Sequence, residues 1–162
     1  MRSIALCALV TVLSASGASA QEIGGYIGAG AGSIDFRVYR EPIPEITGGF
    51  LLRLADDRVR AGLELSAMTS NGYWSGKGGP IAEFVVFRRP GISPFVRGGV
   101  SFGEDTLAVA GGGIDFWVMR DKGIRVTVQD SFRRSKITSP FDRSSSHAIY
   151  HQPSVQVAWM WR

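Results

Sequence analysis

Cysteine, histidine, lysine and long apolar runs are all scarce in this chain, and each scarcity closes off a class of reading. The single cysteine, Cys7, lies in an N-terminal segment expected to be removed. The rest of the chain then offers no disulfide, no thiolate metal site and no cysteine nucleophile. Two histidines, His147 and His151, with no cysteine cluster and no acidic calcium loop, give no metal-ligand pattern, and no cofactor is expected. No stretch beyond the N-terminus approaches the roughly eighteen uninterrupted apolar residues of a membrane-spanning helix. With Arg2 set aside, 17 basic residues stand against 14 acidic ones, a balance too mild for a nucleic-acid binder.

The N-terminus has three parts: a basic start at Arg2, an apolar run from Ile4 to Leu13, and small residues ending Ala18-Ser19-Ala20. That order is a secretory signal with an A-x-A cleavage site, so residues 1–20 are expected to be a signal peptide and 21–162 a single domain. An N-terminal anchor helix is the alternative, but the apolar run is about half the length a spanning helix needs. Leu6, before Cys7, does not fit a lipoprotein signal.

From Gln21 onward apolar residues alternate with polar or small ones in eight segments, each closed by a turn or loop. Glycine, at 21 residues, and scattered aromatic and β-branched residues give an all-β composition. The segments are expected over Ile23 to Val38, Glu45 to Ala55, Arg58 to Thr69, Ile81 to Arg88, Pro94 to Phe102, a sixth reaching Val118, a seventh from Ile124, and Ala148 to Trp161. In the first, Tyr26, Ile34, Phe36 and Val38 share a phase. The second and third alternate most cleanly, with Asp56-Asp57 read as a tight hairpin turn. Asp121-Lys122-Gly123 and Arg89-Pro90-Gly91 supply further short turns, whereas Ser70 to Gly79 and Arg134 to His147 read as longer loops. An even number of antiparallel strands suits closure into an eight-stranded transmembrane β-barrel.

Alternation alone does not say which face is inside. The polar set decides it, because it is poor in the lysine a solvated surface would carry and rich in Gly, Ser, Thr, Gln and arginines facing carboxylates. Two of the three lysines, Lys77 and Lys122, fall in segments read as loop or turn. With the oily face outward, Arg53, Arg60, Glu64, Glu83, Arg97, Asp115 and Arg125 become neighbours in the lumen. There they form a charge-paired plug, since each buried charge needs a partner. A soluble exported barrel with reversed faces is the alternative architecture.

Gly25-Tyr26-Ile27-Gly28-Ala29-Gly30, Pro94-Phe95-Val96-Arg97-Gly98-Gly99-Val100, Gly111-Gly112-Gly113-Ile114-Asp115-Phe116 and Ile124-Arg125-Val126 come in an order that resembles the small outer-membrane β-barrel proteins. That family includes the OmpA transmembrane domain and the opacity-protein-like surface antigens. The resemblance covers essentially all of 21–162. It implies residence in a Gram-negative-type outer membrane as a monomer among outer-membrane lipid and lipopolysaccharide. It also implies that the final amphipathic strand, with Trp159 and Trp161, is the signal read by the barrel-assembly machinery. The family usually ends on the aromatic itself, whereas Arg162 follows here.

Some eight-stranded outer-membrane barrels edit lipid A, so chemistry has to be weighed. Asp130 and His151 fall in the outward phase of neighbouring strands near the outer rim, and Ser144, Ser145 and Ser146 stand beside His147, but no His-x-Ser-Asn motif accompanies them. Solvated rim residues account for the pair, and Gly111 to Gly113 are strand glycines with no helix behind them to make a phosphate cradle. The basic residues Arg134, Lys136 and Arg143 suit contact with anionic lipopolysaccharide heads. The expected function is structural or surface-interacting and non-enzymatic, with a lipid A-modifying acyl hydrolase or transferase as the alternative.

Overall fold

The computed structural model describes residues 22–33, 42–54, 58–138 and 145–162; the segment expected to be a signal peptide lies outside them. Eight strands follow in order: β1 (Ile23–Ser33), β2 (Pro42–Leu54), β3 (Val59–Ser70), β4 (Tyr73–Val85), β5 (Ile92–Phe102), β6 (Thr106–Trp117), β7 (Lys122–Thr138) and β8 (Ser145–Trp161). Each pairs antiparallel with the next, and β8 returns to β1 through Gly25↔Trp161 to Gly32↔Ser154, which closes the barrel. Closure leaves no sheet edge to attract another chain.

Side chains sort by parity, as a period-two pattern requires. Outward stand Ile27, Phe50, Leu65, Phe84, Val96, Val128 and Val157. Inward and buried stand Glu45, Arg60, Glu64, Glu83, Arg97, Asp115, Arg125, Thr127, Gln129 and Gln156. A soluble barrel has the reverse polarity. Here the apolar side chains form the outer surface, the arrangement a bilayer solvates.

Several expectations are corrected. Tyr26, grouped by phase with Ile34, points into the lumen and is 2% exposed. Gly49, its neighbour on β2, leaves room for the ring. Ser70 to Gly79 is no long loop: Asn71 (φ 49°) and Gly72 (φ 80°) make a two-residue turn and β4 starts at Tyr73. Asn-Gly is the pair a primed hairpin turn favours, because both positions need positive φ. Lys77 is therefore a strand residue, and Lys122 is the first residue of β7. The pairing of β7 with β8 continues to Thr138↔Ser145, which puts Arg134 and Lys136 on a strand. Val118 falls just past β6. Ile34, Phe36, Val38 and Asp56-Asp57 lie outside the described residues.

The lower end of the barrel carries Glu22 and Arg162, and the upper end carries the Asn71-Gly72 turn. Inside the lower half Tyr26, Leu51, Ile81, Ala158 and Met160 pack together with Trp117 against them. Polar and apolar layers therefore share the lumen.

Candidate functional site in the lumen

Among the described residues three charge groups occupy the lumen, each with equal numbers of acidic and basic side chains. The lowest is built around Arg125 of β7. Its Nε donates to Asp115 Oδ1 (2.8 Å), Nη1 to Glu83 Oε1 (2.9 Å), and Nη2 to Glu83 Oε2 (3.0 Å) and Asp115 Oδ2 (3.1 Å). Arg60 closes the group, its Nη1 donating to Asp115 Oδ2 at 2.5 Å and to Glu83 Oε2 at 3.5 Å. Arg125 also lies 4.4 Å from the Phe95 ring centroid and 4.9 Å from that of Tyr26. A planar guanidinium suits this position because its edge meets carboxylates while its faces meet rings.

The register explains the assembly. Arg60 pairs with Glu83, Glu83 with Arg97, and Asp115 with Arg125 as direct cross-strand neighbours, so opposite charges meet before any packing is considered. Room for the rings comes from glycine. A Cβ on Gly113 would fall 2.8 Å from Phe95 Cζ, and one on Gly49 would fall 2.7 Å from Tyr26 Oη.

One layer up, Glu64 accepts from Tyr26 Oη (2.6 Å), Arg97 Nη2 (2.7 Å) and Gln129 Nε2 (3.3 Å). Above that, Lys77 Nζ stands 3.7 Å from Glu45 Oε1, too long for a hydrogen bond. Two cavities of about 10 Å³ lie at the lower side of the Arg125 group and at the upper side of the Glu64 layer. One is lined by Tyr26, Leu51, Arg60 and Arg125, the other by Glu64, Lys77, Gln129 and Ser131. Each has about the volume of one water-sized sphere.

Six of the seven expected lumen residues thus meet in two adjoining clusters. Arg53, the cross-strand neighbour of Arg60, reaches to the lower end, pairing with Glu22 Oε2 at 3.1 Å and stacking 5.6 Å from the Trp117 ring. Arg162 covers Trp117 as well, at 3.9 Å. Sequence reading missed Tyr26, Glu45, Lys77, Phe95 and Gln129 as parts of the network. Glu45 shares parity with Arg53, and Lys77 with Glu83, so carrying the alternation through Pro44 and Gly78-Gly79-Pro80 would have found both.

On the outer face His151 Nδ1 and Asp130 Oδ2 are 2.6 Å apart, and Gln152 N donates to Asp130 Oδ1 at 3.1 Å. Ser145 and Ser146 begin β8, correcting their placement in a loop, and Ser144 is outside the described residues. Among the described residues no group of three or more potential metal ligands occurs. Trp159 and Trp161 face outward near the lower rim, Trp159 opposite Ile124.

No family model and no curated protein matches the chain. Solved structures do. Neisserial surface protein A superposes with a TM-score of 0.65 at 7% identity, covering 88% of this chain and 99% of that one. The fold is that of the small outer-membrane β-barrels. The N-terminal β-barrel domain of Pseudomonas aeruginosa OprF matches with a TM-score of 0.55 at 12% identity, covering 87% and 99% of the two chains. The de novo designed protein TMB2.3 matches at 0.51 and 14%, covering 89% and 98%. At such identities the common property is the barrel, and the ion network has to be understood from this barrel's own residues.

Proposed function

We propose that this barrel resides in a bacterial outer membrane as a monomeric structural or surface-interaction protein, its lumen closed by charge pairs and not open as a pore. The observation that carries the reading is the Arg125 group: four buried hydrogen bonds to two carboxylates, two flanking rings, and a cavity of only about 10 Å³ on its lower side. The apolar exterior and the outer-membrane barrels that share the fold support the location. Export by residues 1–20, recognition of the last strand through Trp159 and Trp161 by assembly machinery, and contact with lipopolysaccharide complete the proposal.

Two measurements test it together. Fractionation of expressing cells should recover the protein with the outer membrane, migrating faster on gels before boiling than after. Reconstituted into planar bilayers, the wild-type barrel should give no steady conductance. Recovery in the soluble periplasm would refute the location, and a stable open channel would refute the closed lumen.

The 2.6 Å contact of His151 with Asp130 favours one second reading, a lipid A-modifying enzyme, because a carboxylate orienting an imidazole is half of a general-base system. Lipid A profiles from cells carrying wild-type protein or His151→Ala should then differ; identical profiles end that reading.

A further inference from the structure

The outer surface carries a groove of about 360 Å³ near its upper end, lined by Thr106, Ala108, Phe132, Arg133, Arg134 and Ile149. That volume lies within the roughly 300–1,000 Å³ range of small-ligand sites. The strand pairing makes the hollow. Ala108 of β6 stands opposite Phe132 of β7, and Arg134 stands opposite Ile149 of β8, so a small residue and Thr106 sit beside two large apolar ones. The floor is oily and opens on the same face as the barrel's apolar exterior.

Among the described residues, the charge at the head of the groove is not balanced locally. Arg133 is engaged by Asp105 and stacks 5.3 Å from the Tyr150 ring. Asp130, the carboxylate two residues below Phe132, is taken by His151 and by the Gln152 amide. Among the described residues no carboxylate pairs with Arg134, which is exposed. An exposed cation above an apolar hollow, with no carboxylate on it among the described residues, fits an amphiphile with an anionic phosphate head.

We infer that this groove holds an acyl chain of a phosphorylated outer-leaflet glycolipid, with Arg134 gripping a phosphate of its head. The inference rests on the outer-membrane reading and adds to it one specific lipid position. A protein partner would need a far larger apolar patch than this single hollow.

Native mass spectrometry of the folded full-length barrel tests it, with three probes: diphosphorylated lipid A, its dephosphorylated form, and phosphatidylglycerol. The variants are Arg134→Gln, which removes the charge, and Ala108→Leu, which fills the hollow; Arg120→Gln at the lower end is the control. Wild type and Arg120→Gln should retain one diphosphorylated lipid A in preference to both other probes. Arg134→Gln should lower that retention about tenfold, the loss expected for one charge-assisted contact. Ala108→Leu should lower it too, although its charge is unchanged. Equal retention of all three probes, or by all four proteins, would mean ordinary boundary lipid and overturn the inference. Preference for phosphatidylglycerol would overturn the glycolipid. Insertion of the wild type into neutral phosphatidylcholine vesicles keeps the outcomes separate: if insertion succeeds while binding fails, only the groove is lost; if insertion fails, the membrane reading is lost with it.

Discussion

Replacing Arg125 by methionine is the most direct test of the lumen's energetics. The substitution keeps an unbranched side chain between Phe95 and Tyr26, and a thioether still makes favourable ring contacts. What disappears is the charge, along with four hydrogen bonds to Glu83 and Asp115. Both carboxylates are fully buried, and Arg60 is left as the cation in contact with both, at 2.5 Å from Asp115 and 3.5 Å from Glu83, with Arg97 across the strand from Glu83. Breaking a buried ion pair by removing one partner costs about 3–5 kcal/mol, most of it the penalty for the stranded charge. Arg125→Met should therefore lose about 4 kcal/mol. Glu83→Gln, added to it, restores neutrality and leaves Arg60 with Asp115. The double variant should then be more stable than the sum of the single losses by about 2 kcal/mol, within the usual range for directly contacting residues. Equilibrium urea unfolding in lipid vesicles, followed by tryptophan fluorescence, measures the wild type, both single variants and the double variant. A loss under about 1 kcal/mol for Arg125→Met, or strict additivity in the double variant, would refute the claim that charge pairing holds this layer together.

Three further outcomes are expected from the same unfolding assay. Tyr26→Phe removes the 2.6 Å hydrogen bond to Glu64, which keeps Arg97 and Gln129, so the loss should be about 1–2 kcal/mol. Gly49→Ala puts a methyl 2.7 Å from Tyr26 Oη and should cost about 1–3 kcal/mol, whereas Gly48→Ala, with its nearest neighbour at 3.4 Å, should change stability by less than about 0.5 kcal/mol. Lys77→Met leaves the Glu45 carboxylate without its cation; because that contact is 3.7 Å long and lacks a hydrogen bond, about 2 kcal/mol should be lost, less than for Arg125, and Glu45→Gln should recover most of it.

Strand count, parity and the central ion network were legible in the sequence because they depend on one repeating rule. Arg60, Glu83, Asp115 and Arg125 share inward parity on strands that pair directly, so their meeting follows from the alternation alone. Strand ends were less legible. Beyond the apolar band the outer face turns polar or glycine-rich, as at Gly76-Lys77-Gly78, and hydrophobic periodicity fades although the hydrogen-bonded ladder continues. The hairpin at Asn71-Gly72 was hidden by the same fading, even though its turn chemistry is explicit. Tyr26 was misplaced because an aromatic ring among glycines reads as lipid-facing, while its hydroxyl reveals a lumen role only once Glu64 is known to stand across from it. Arg53 was placed in the network by parity, which fixes the face of a strand but not where a long side chain reaches. Arg53 reaches to Glu22, below the Arg125 group.

The layering of those charge groups bears on the proposed closure of the lumen. Charge neutrality within each layer alone would permit a loose, hydrated interior. What distinguishes the Arg125 layer is that its aromatic walls are paired with absent side chains on the facing strand: Phe95 lies against Gly113 and Tyr26 against Gly49. Large residues fill the width of the lumen only because small ones give way at the same height, and the two rings then fix the plane in which the guanidinium meets both carboxylates. The Glu45–Lys77 layer has no such walls, and neither carboxylate oxygen there accepts a hydrogen bond within the barrel. If the lumen is closed as proposed, these walls concentrate the closure in the lower half. Widening the lumen at Phe95 should open a path for ions where removing Lys77 should not, and planar-bilayer recordings of Phe95→Ala and Lys77→Met would separate steric closure from electrostatic closure.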